Sequence, residues 1–284
     1  MLNSLLDPIF FPLLKLGYTW ALVILSFLIT LLITIIYKYV TDQDRMKYLK
    51  KELKKLQAQM REKQKSGDLK SLKKLQAKMM PLNGELMKHS MKPTLYTFIP
   101  IIIIFGWLSA HLAYHPIMPG EEFSITAVPG EITGNGFFML NITPQDAMNQ
   151  NSTIEFLDDR VKSFSTNSSL IVGSDSLKKE LSWRLKIISE GDYEGTVYLL
   201  DNNKKIVDQH SFPIIISRQD GVYAPPVIKA PKDKAWFKEI TISNKEVKPF
   251  GNLSLFGWHP GWLGAYIILS IIFSTLLRKA LGVV

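Results

Sequence analysis

Three stretches of the chain carry no Asp, Glu, Lys or Arg: residues 16–37, 93–118 and 251–277. Roughly 20 apolar residues cross the hydrocarbon core of a bilayer, so the pattern predicts transmembrane helices over 18–40, 93–115 and 258–279. Residues 1–17 are apolar too, but Asp7, Pro8, Pro12 and Lys15 interrupt them. They predict a short interfacial segment rather than a fourth span. Pro100 predicts a kink in the second span, tolerable where a neighbouring helix or water meets the freed carbonyl.

Between the first two spans the period changes to that of an amphipathic helix. Met46, Leu49, Leu53, Leu56 and Met60 are spaced three, four, three, four, which is a heptad seam. Leu69, Leu72, Leu75, Met79, Leu82 and Leu86 form a second. Gly67 can end the first helix in the left-handed conformation, and Asp68 can cap the next. So short a connection predicts an antiparallel coiled-coil hairpin over 41–92. Pro81 predicts a bend or restart in its second arm.

Residues 116–250 read as strands. Short β-branched and aromatic runs at 123–128, 136–143, 152–157, 169–173, 181–188, 195–201, 212–217 and 239–243 are separated by Gly, Pro, Asn and Asp. Leu181, Trp183, Leu185 and Ile187 alternate with polar residues, as a strand buried on one face does. Asp201-Asn202-Asn203-Lys204 predicts a hairpin turn, and Gly191-Asp192-Tyr193-Glu194-Gly195 resembles the tyrosine corner of immunoglobulin-like sandwiches. About eight strands over this length predict an immunoglobulin-like β-sandwich, joined by a linker over 251–257 to the third span.

Charge fixes the orientation. Residues 42–92 hold 15 Lys+Arg against 6 Asp+Glu, a net of +9, equal to the net charge of all 284 residues. A basic element between two apolar segments belongs on the cytoplasmic side. The amino terminus and the β-domain are then outside, and Arg278, Lys279 and the last residues, 280–284, inside. Four N-x-S/T acceptors, Asn141, Asn151, Asn167 and Asn252, all fall in the outer region, as glycosylation acceptors should. The expectation is a multi-pass protein of the cell membrane. The absence of cysteine excludes a disulfide framework, a thiol nucleophile and any Cys-ligated metal.

Candidate chemistry is sparse. Ser26, Thr30, Thr34 and Lys38 follow at i+4 in the first span; Tyr266, Ser270, Ser274 and Arg278 do so in the third. Two such stripes face to face, with Tyr96 and Thr97 beside them, would line a hydrophilic groove open to the cytoplasm. Alternatively, the hydroxyls hold helices together or bond their own i−4 carbonyls. Met79, Met80, Met87 and Met91 cluster at the cytoplasmic entrance, where flexible thioethers suit varied apolar sequences; filling the seam is the other reading. The lysine-rich hairpin is a solvated face that can also meet anionic lipid or ribosomal RNA. His111 and His115 stand at i and i+4 without a third ligand at a recognisable spacing, so no metal site is read. Asp158-Asp159 reads as a turn rather than a calcium site. No nucleotide-binding or hydrolase motif occurs, and neither an enzyme nor a cofactor is expected.

The sequences SGDLKSLKKLQAKMM in the hairpin, MKPTLYTFIPIIIIFGWL in the second span and GWLGAYIILSIIFSTLLRKALG in the third resemble the YidC/Oxa superfamily of membrane-protein insertases. The archaeal YidC-like branch, relatives of the third subunit of the endoplasmic-reticulum membrane complex, is the nearest in pattern. The resemblance covers residues 15–115 and 255–284. It implies a three-span core with a cytoplasm-facing groove that admits the polar flank of a short translocated segment. Partners so implied are nascent membrane proteins and lipids, with ribosomes or targeting factors at the hairpin and a small accessory membrane subunit. Two features depart from the pattern. Bacterial members carry an arginine in the groove on the first core span, whereas this span has no cation before Lys38. The β-domain lies between the second and third spans, whereas that of some bacterial members precedes the core. A second reading stays open: a membrane-anchored receptor or adhesion protein whose external β-domain binds a ligand.

Overall fold

The computed structural model describes residues 2–130, 137–145, 154–157, 162–163, 169–173, 181–201, 203, 205–231, 236–251, 253–254 and 257–283. The chain divides into two compact units, residues 1–108 with 249–284, and residues 109–248.

The first unit is helical. Helix α1 spans Leu2–Leu14 and α2 spans Tyr18–Val40. At 13 residues α1 is about 20 Å long, too short for a hydrocarbon core of about 30 Å. Helix α3, Gln43–Lys65, opens on Asp42, whose carboxylate accepts from the Arg45 N–H. Gly67 takes φ 69°, and Asp68 Oδ1 accepts from the Ser71 N–H at 3.0 Å, as the turn chemistry requires. Arg45 and Glu85 then meet through paired bonds of 2.7 and 2.8 Å. That contact links the far ends of the two arms, so the chain folds back on itself. Met46, Leu49 and Leu53 are buried, Leu56 and Met60 half-buried, and Leu69 exposed; burial thus falls off toward the tip.

Helix α4 differs from the expected pattern. It runs unbroken over Leu69–His111, with Pro81, Pro93 and Pro100 inside it. Pro81 therefore does not restart the arm, and no break separates hairpin from span. A helix already propagated on both sides of a proline can lose one bond and persist. Helix α5 spans Trp262–Leu281, starting later than the apolar pattern suggests. Pro260 disfavours helix at the residue before it, and the Trp258 ring lies so close to Gly264 that a Cβ there would fall 2.5 Å away. Among the described residues, α2, α4 and α5 are long and apolar enough to cross a membrane.

The second unit is a β-sandwich with ten strands among the described residues: β1 Glu122–Pro129, β2 Phe137–Pro144, β3 Ile154–Phe156, β4 Lys162–Ser163, β5 Ser169–Gly173, β6 Leu181–Ile187, β7 Gly191–Leu200, β8 Ile206–Ile216, β9 Val227–Lys229 and β10 Phe237–Ile242. They form two antiparallel sheets, β3-β6-β1-β10-β9 and β4-β5-β2-β7-β8. Inward residues of both sheets, including Ile125, Trp183 and Ile240 from one and Phe138, Leu140 and Val197 from the other, share one core. The expected immunoglobulin-like order needs correction. In that fold the first two strands neighbour each other in one sheet, whereas here β1 and β2 lie in different sheets. The tyrosine corner itself is present: buried Tyr193 donates its hydroxyl to the Ser189 carbonyl at 3.0 Å. Asp201 closes the β7–β8 hairpin by accepting from the N–H groups of Asn203 and Lys205.

Candidate functional site

Helices α2 and α5 pack side by side and run parallel. Phe27 meets Phe273 edge-on at 5.5 Å, and further along both helices the Arg278 guanidinium sits 5.0 Å from the Tyr37 ring centre. On α2, at about 100° per residue, Thr30 and Thr34 fall between Phe27 and Tyr37. On α5, Ser270 and Ser274 fall between Phe273 and Arg278 by the same rotation. The two hydroxyl stripes therefore face each other across one helix contact.

Their environments differ. Ser26, Thr30 and Thr34 are buried, whereas Ser270, Ser274 and Arg278 are half-buried and Lys38 is exposed. Thr30 donates to the Ser26 carbonyl and Thr34 to the Thr30 carbonyl, each at 2.7 Å. Ser270 donates to Ile267 O at 2.9 Å. These hydroxyls return to their own helices, as one of the two readings held. Ser26 Oγ is buried with no hydrogen-bond partner among the described residues. Tyr266 is buried edge-on against Phe105 of α4 at 4.8 Å.

Helix α4 joins this pair at one end. Besides Tyr266, Phe105 meets Trp262 at 6.2 Å, so the last turns of α4 lie beside the start of α5. Trp107, fully buried, donates Nε1 to Asp7 of α1 at 2.8 Å, with Phe10 and Phe11 against its ring. Thr19 at the start of α2 donates to the Pro249 carbonyl. Toward the hairpin, Leu95, Phe98, Ile99 and Ile102 are exposed, while Pro93 and Thr97 are buried. Thr97 donates to Thr94 O at 3.1 Å, and Tyr96 is exposed. Asp7 and Trp107 escaped the sequence reading; the signal was a lone acid in an apolar segment.

Of the four entrance methionines, Met80, Met87 and Met91 are exposed and Met79 half-buried. Beside them, the Arg45 guanidinium holds the Glu85 carboxyl below the ordinary carboxylate range through their hydrogen bonds. In the β-unit, His111 Nδ1 lies 2.6 Å from the Gly221 carbonyl, and the His115 N–H donates to Lys245 O. Asn141 occupies mid-strand β2, between Ser169 and Thr196, half-buried on the sheet face opposite Leu140. Asn151, Asn167, Asn252 and the Asp158-Asp159 turn lie outside the described residues.

No curated protein sequence matches this chain. The family model of integral membrane proteins of the EMC3/TMCO1-like type matches residues 3–154, from α1 through α2, the hairpin and the apolar part of α4 into the β-unit. That family stands among the relatives of the YidC/Oxa insertases, in keeping with the sequence resemblance. More than half the chain is matched, and it belongs to the EMC3/TMCO1-like family of integral membrane proteins, whose general role is in membrane-protein insertion and biogenesis.

Proposed function

We propose that the chain is a non-enzymatic insertase in which the α2–α5 contact is the site that receives the hydrophilic flank of an entering segment. The observation that carries the reading is the row of buried hydroxyls on α2, with Ser26 Oγ lacking a partner among the described residues. A polar atom shut away in hydrocarbon is costly unless something pairs with it. Thr30 and Thr34 satisfy themselves while the contact is closed, yet each oxygen keeps acceptor capacity for an incoming N–H. The half-buried Ser270, Ser274 and Arg278 supply the side from which a flank enters.

In this reading the hairpin faces the cytoplasm and the β-unit the outside, by the charge rule. The aromatic and hydrogen-bonded ties of Asp7, Phe105 and Trp107 close the outer end. Nascent membrane proteins are the clients. Lipid, ribosomes or targeting factors at the basic hairpin, and a small accessory subunit, are proposed as further partners. No energy-coupling step is invoked, since the apolar part of the client gains free energy on entering lipid.

Site-specific photocrosslinking in membranes translating a short single-span client tests the reading. A probe at Thr34, inside the contact, should capture the client, and one at lipid-facing Leu32 should capture little. Silence at both positions, with chain and client correctly inserted, overturns it.

A further inference from the structure

The last turn of α5 meets the last turn of α2 through one cation. The Arg278 guanidinium sits 5.0 Å from the centre of the Tyr37 ring. Both residues stand on closed helix ends. The Tyr37 carbonyl accepts from the Thr41 N–H and from Gln43 Nε2, each at 3.2 Å. The Arg278 carbonyl accepts from the N–H groups of Gly282, at φ 65°, and of Val283. Lys38 and Lys279 follow directly on the two helices and are exposed.

This end of the pair lacks an acid. Neither α2 nor α5 contains Asp or Glu. The nearest in sequence to α2, Asp42 and Asp44, are engaged by the Arg45 N–H and, at 3.8 Å, by Lys47. Among the described residues the half-buried Arg278 has no carboxylate partner, and its guanidinium donates to no acceptor. Helix dipoles favour cations near C-termini, and the Tyr37 ring attracts the face of the guanidinium. Both leave the edge-directed N–H donors unspent. The uncharged run 251–277 stops at Arg278 and the run 16–37 at Lys38, where hydrocarbon gives way to headgroups. Ile271 and Ile267, 62% and 48% exposed, precede Arg278 by seven and eleven residues. At about 100° per residue both lie within about 20° of its direction. An apolar strip therefore runs from the guanidinium into the span.

We propose that Arg278, seated on Tyr37 and flanked by Lys38 and Lys279, binds the phosphate of an anionic membrane lipid whose chain lies along Ile271 and Ile267. The edge of a guanidinium matches phosphate oxygens two at a time. Three cations without an acid favour a lipid of net negative charge over a zwitterionic one. The two capped helix ends hold ring and guanidinium on fixed backbone, so the donors are in place before the lipid arrives. The site requires α2 and α5 in a membrane, but not the insertion reading. Because Arg278 also borders the contact assigned to the client, the headgroup fills that rim while no client is present.

The test uses the purified full chain in a maltoside detergent, which carries no phosphate. Phosphatidylglycerol is added and bound lipid is counted by native mass spectrometry. The wild type should retain one lipid under conditions where Arg278→Gln retains at least fivefold less, with an unchanged unfolding temperature before lipid is added. Arg278→Lys, which keeps the charge but not the fork, should fall between them. Lys15→Gln, before the opposite end of α2, should match the wild type. Uncharged diacylglycerol should be retained at least fivefold less than phosphatidylglycerol, and inorganic phosphate at equal concentration should leave the lipid bound. Full retention by Arg278→Gln and Arg278→Lys, or equal retention of diacylglycerol, overturns the site. Displacement by inorganic phosphate assigns the site to a free anion and overturns the lipid. No client is present, so either result stands apart from the insertion reading.

Discussion

The Trp107 indole N–H and the Asp7 carboxylate meet at 2.8 Å, joining residues a hundred positions apart. Phe10 and Phe11 close edge-on around the same indole, so α1 grips α4 through one hydrogen bond and two ring contacts. Trp107→Phe keeps most of the ring packing and removes only the donor. A hydrogen bond to a charged group contributes about 1.5–3 kcal/mol, so the variant should unfold several degrees lower in detergent. Asp7→Asn, which retains an acceptor oxygen, should lose less. Equal unfolding temperatures for wild type and Trp107→Phe would show that the bond holds nothing.

Thr30→Val with Thr34→Val separates the two readings of the hydroxyl stripe. Valine keeps the branched shape, and the Ser26 and Thr30 carbonyls that these hydroxyls bond remain available to the helix. Both hydroxyls bond carbonyls of their own helix rather than a neighbouring one, so stability should change little. Insertion of a client with a polar flank should fall several-fold, while one with a wholly apolar flank should be spared. If both clients insert normally, the hydroxyls only serve their own helices.

What was legible in the sequence was local. The 18–40 span coincides with α2 because no breaker interrupts it and Gly17, at φ 87°, ends what precedes it. Gly67 and Asp68 marked the hairpin turn for stated chemical reasons, and Tyr193 marked its corner. Persistence of helix through Pro81 was not legible, because it depends on helix propagated from both sides. The two-residue β4 and three-residue β9 are too short to show a period. The first half of β8, IVDQHS, carries polar residues that suit an edge strand and so lacks an apolar signature. Pairing was the least accessible: β1 lies beside β10, more than a hundred residues away, and only the fold brings Arg278 over Tyr37. The hydroxyl stripes could be found by counting fours, but not their unequal burial.

Asp68 predicts a pH dependence at the hairpin tip. Hydrogen bonds from Ser71 hold its carboxyl below the ordinary carboxylate range. A group whose folded pKa is depressed stabilises fully above its unfolded value, near 4, and the contribution is lost as pH falls through the lower folded value. Protection of the Ser71 amide against hydrogen exchange should therefore drop below about pH 4. Asp68→Asn, still a good cap, should flatten that profile. A wild-type profile no steeper than the variant's would remove Asp68 as its cause.

Gly195 of β7 offers the sharpest test of the β-unit's core. A Cβ at this position would lie 2.6 Å from the Phe212 ring and 3.0 Å from the Ile214 side chain. Phe212 and Ile214 are both buried. Overpacking of this kind costs about 1–3 kcal/mol, so Gly195→Ala should lower the unfolding transition of the β-unit in the intact chain. Tyr193→Phe, two residues away, removes the hydroxyl that bonds Ser189 and should cost about 1 kcal/mol. The helical unit gives an internal control, because neither change touches its packing: client insertion at a temperature where both units are folded should match wild type. A receptor whose activity lay in the β-unit would instead lose function in step with the loss of that unit's stability. Measuring both transitions and insertion on the same two variants therefore tests the core and, at the same time, decides which unit carries the activity.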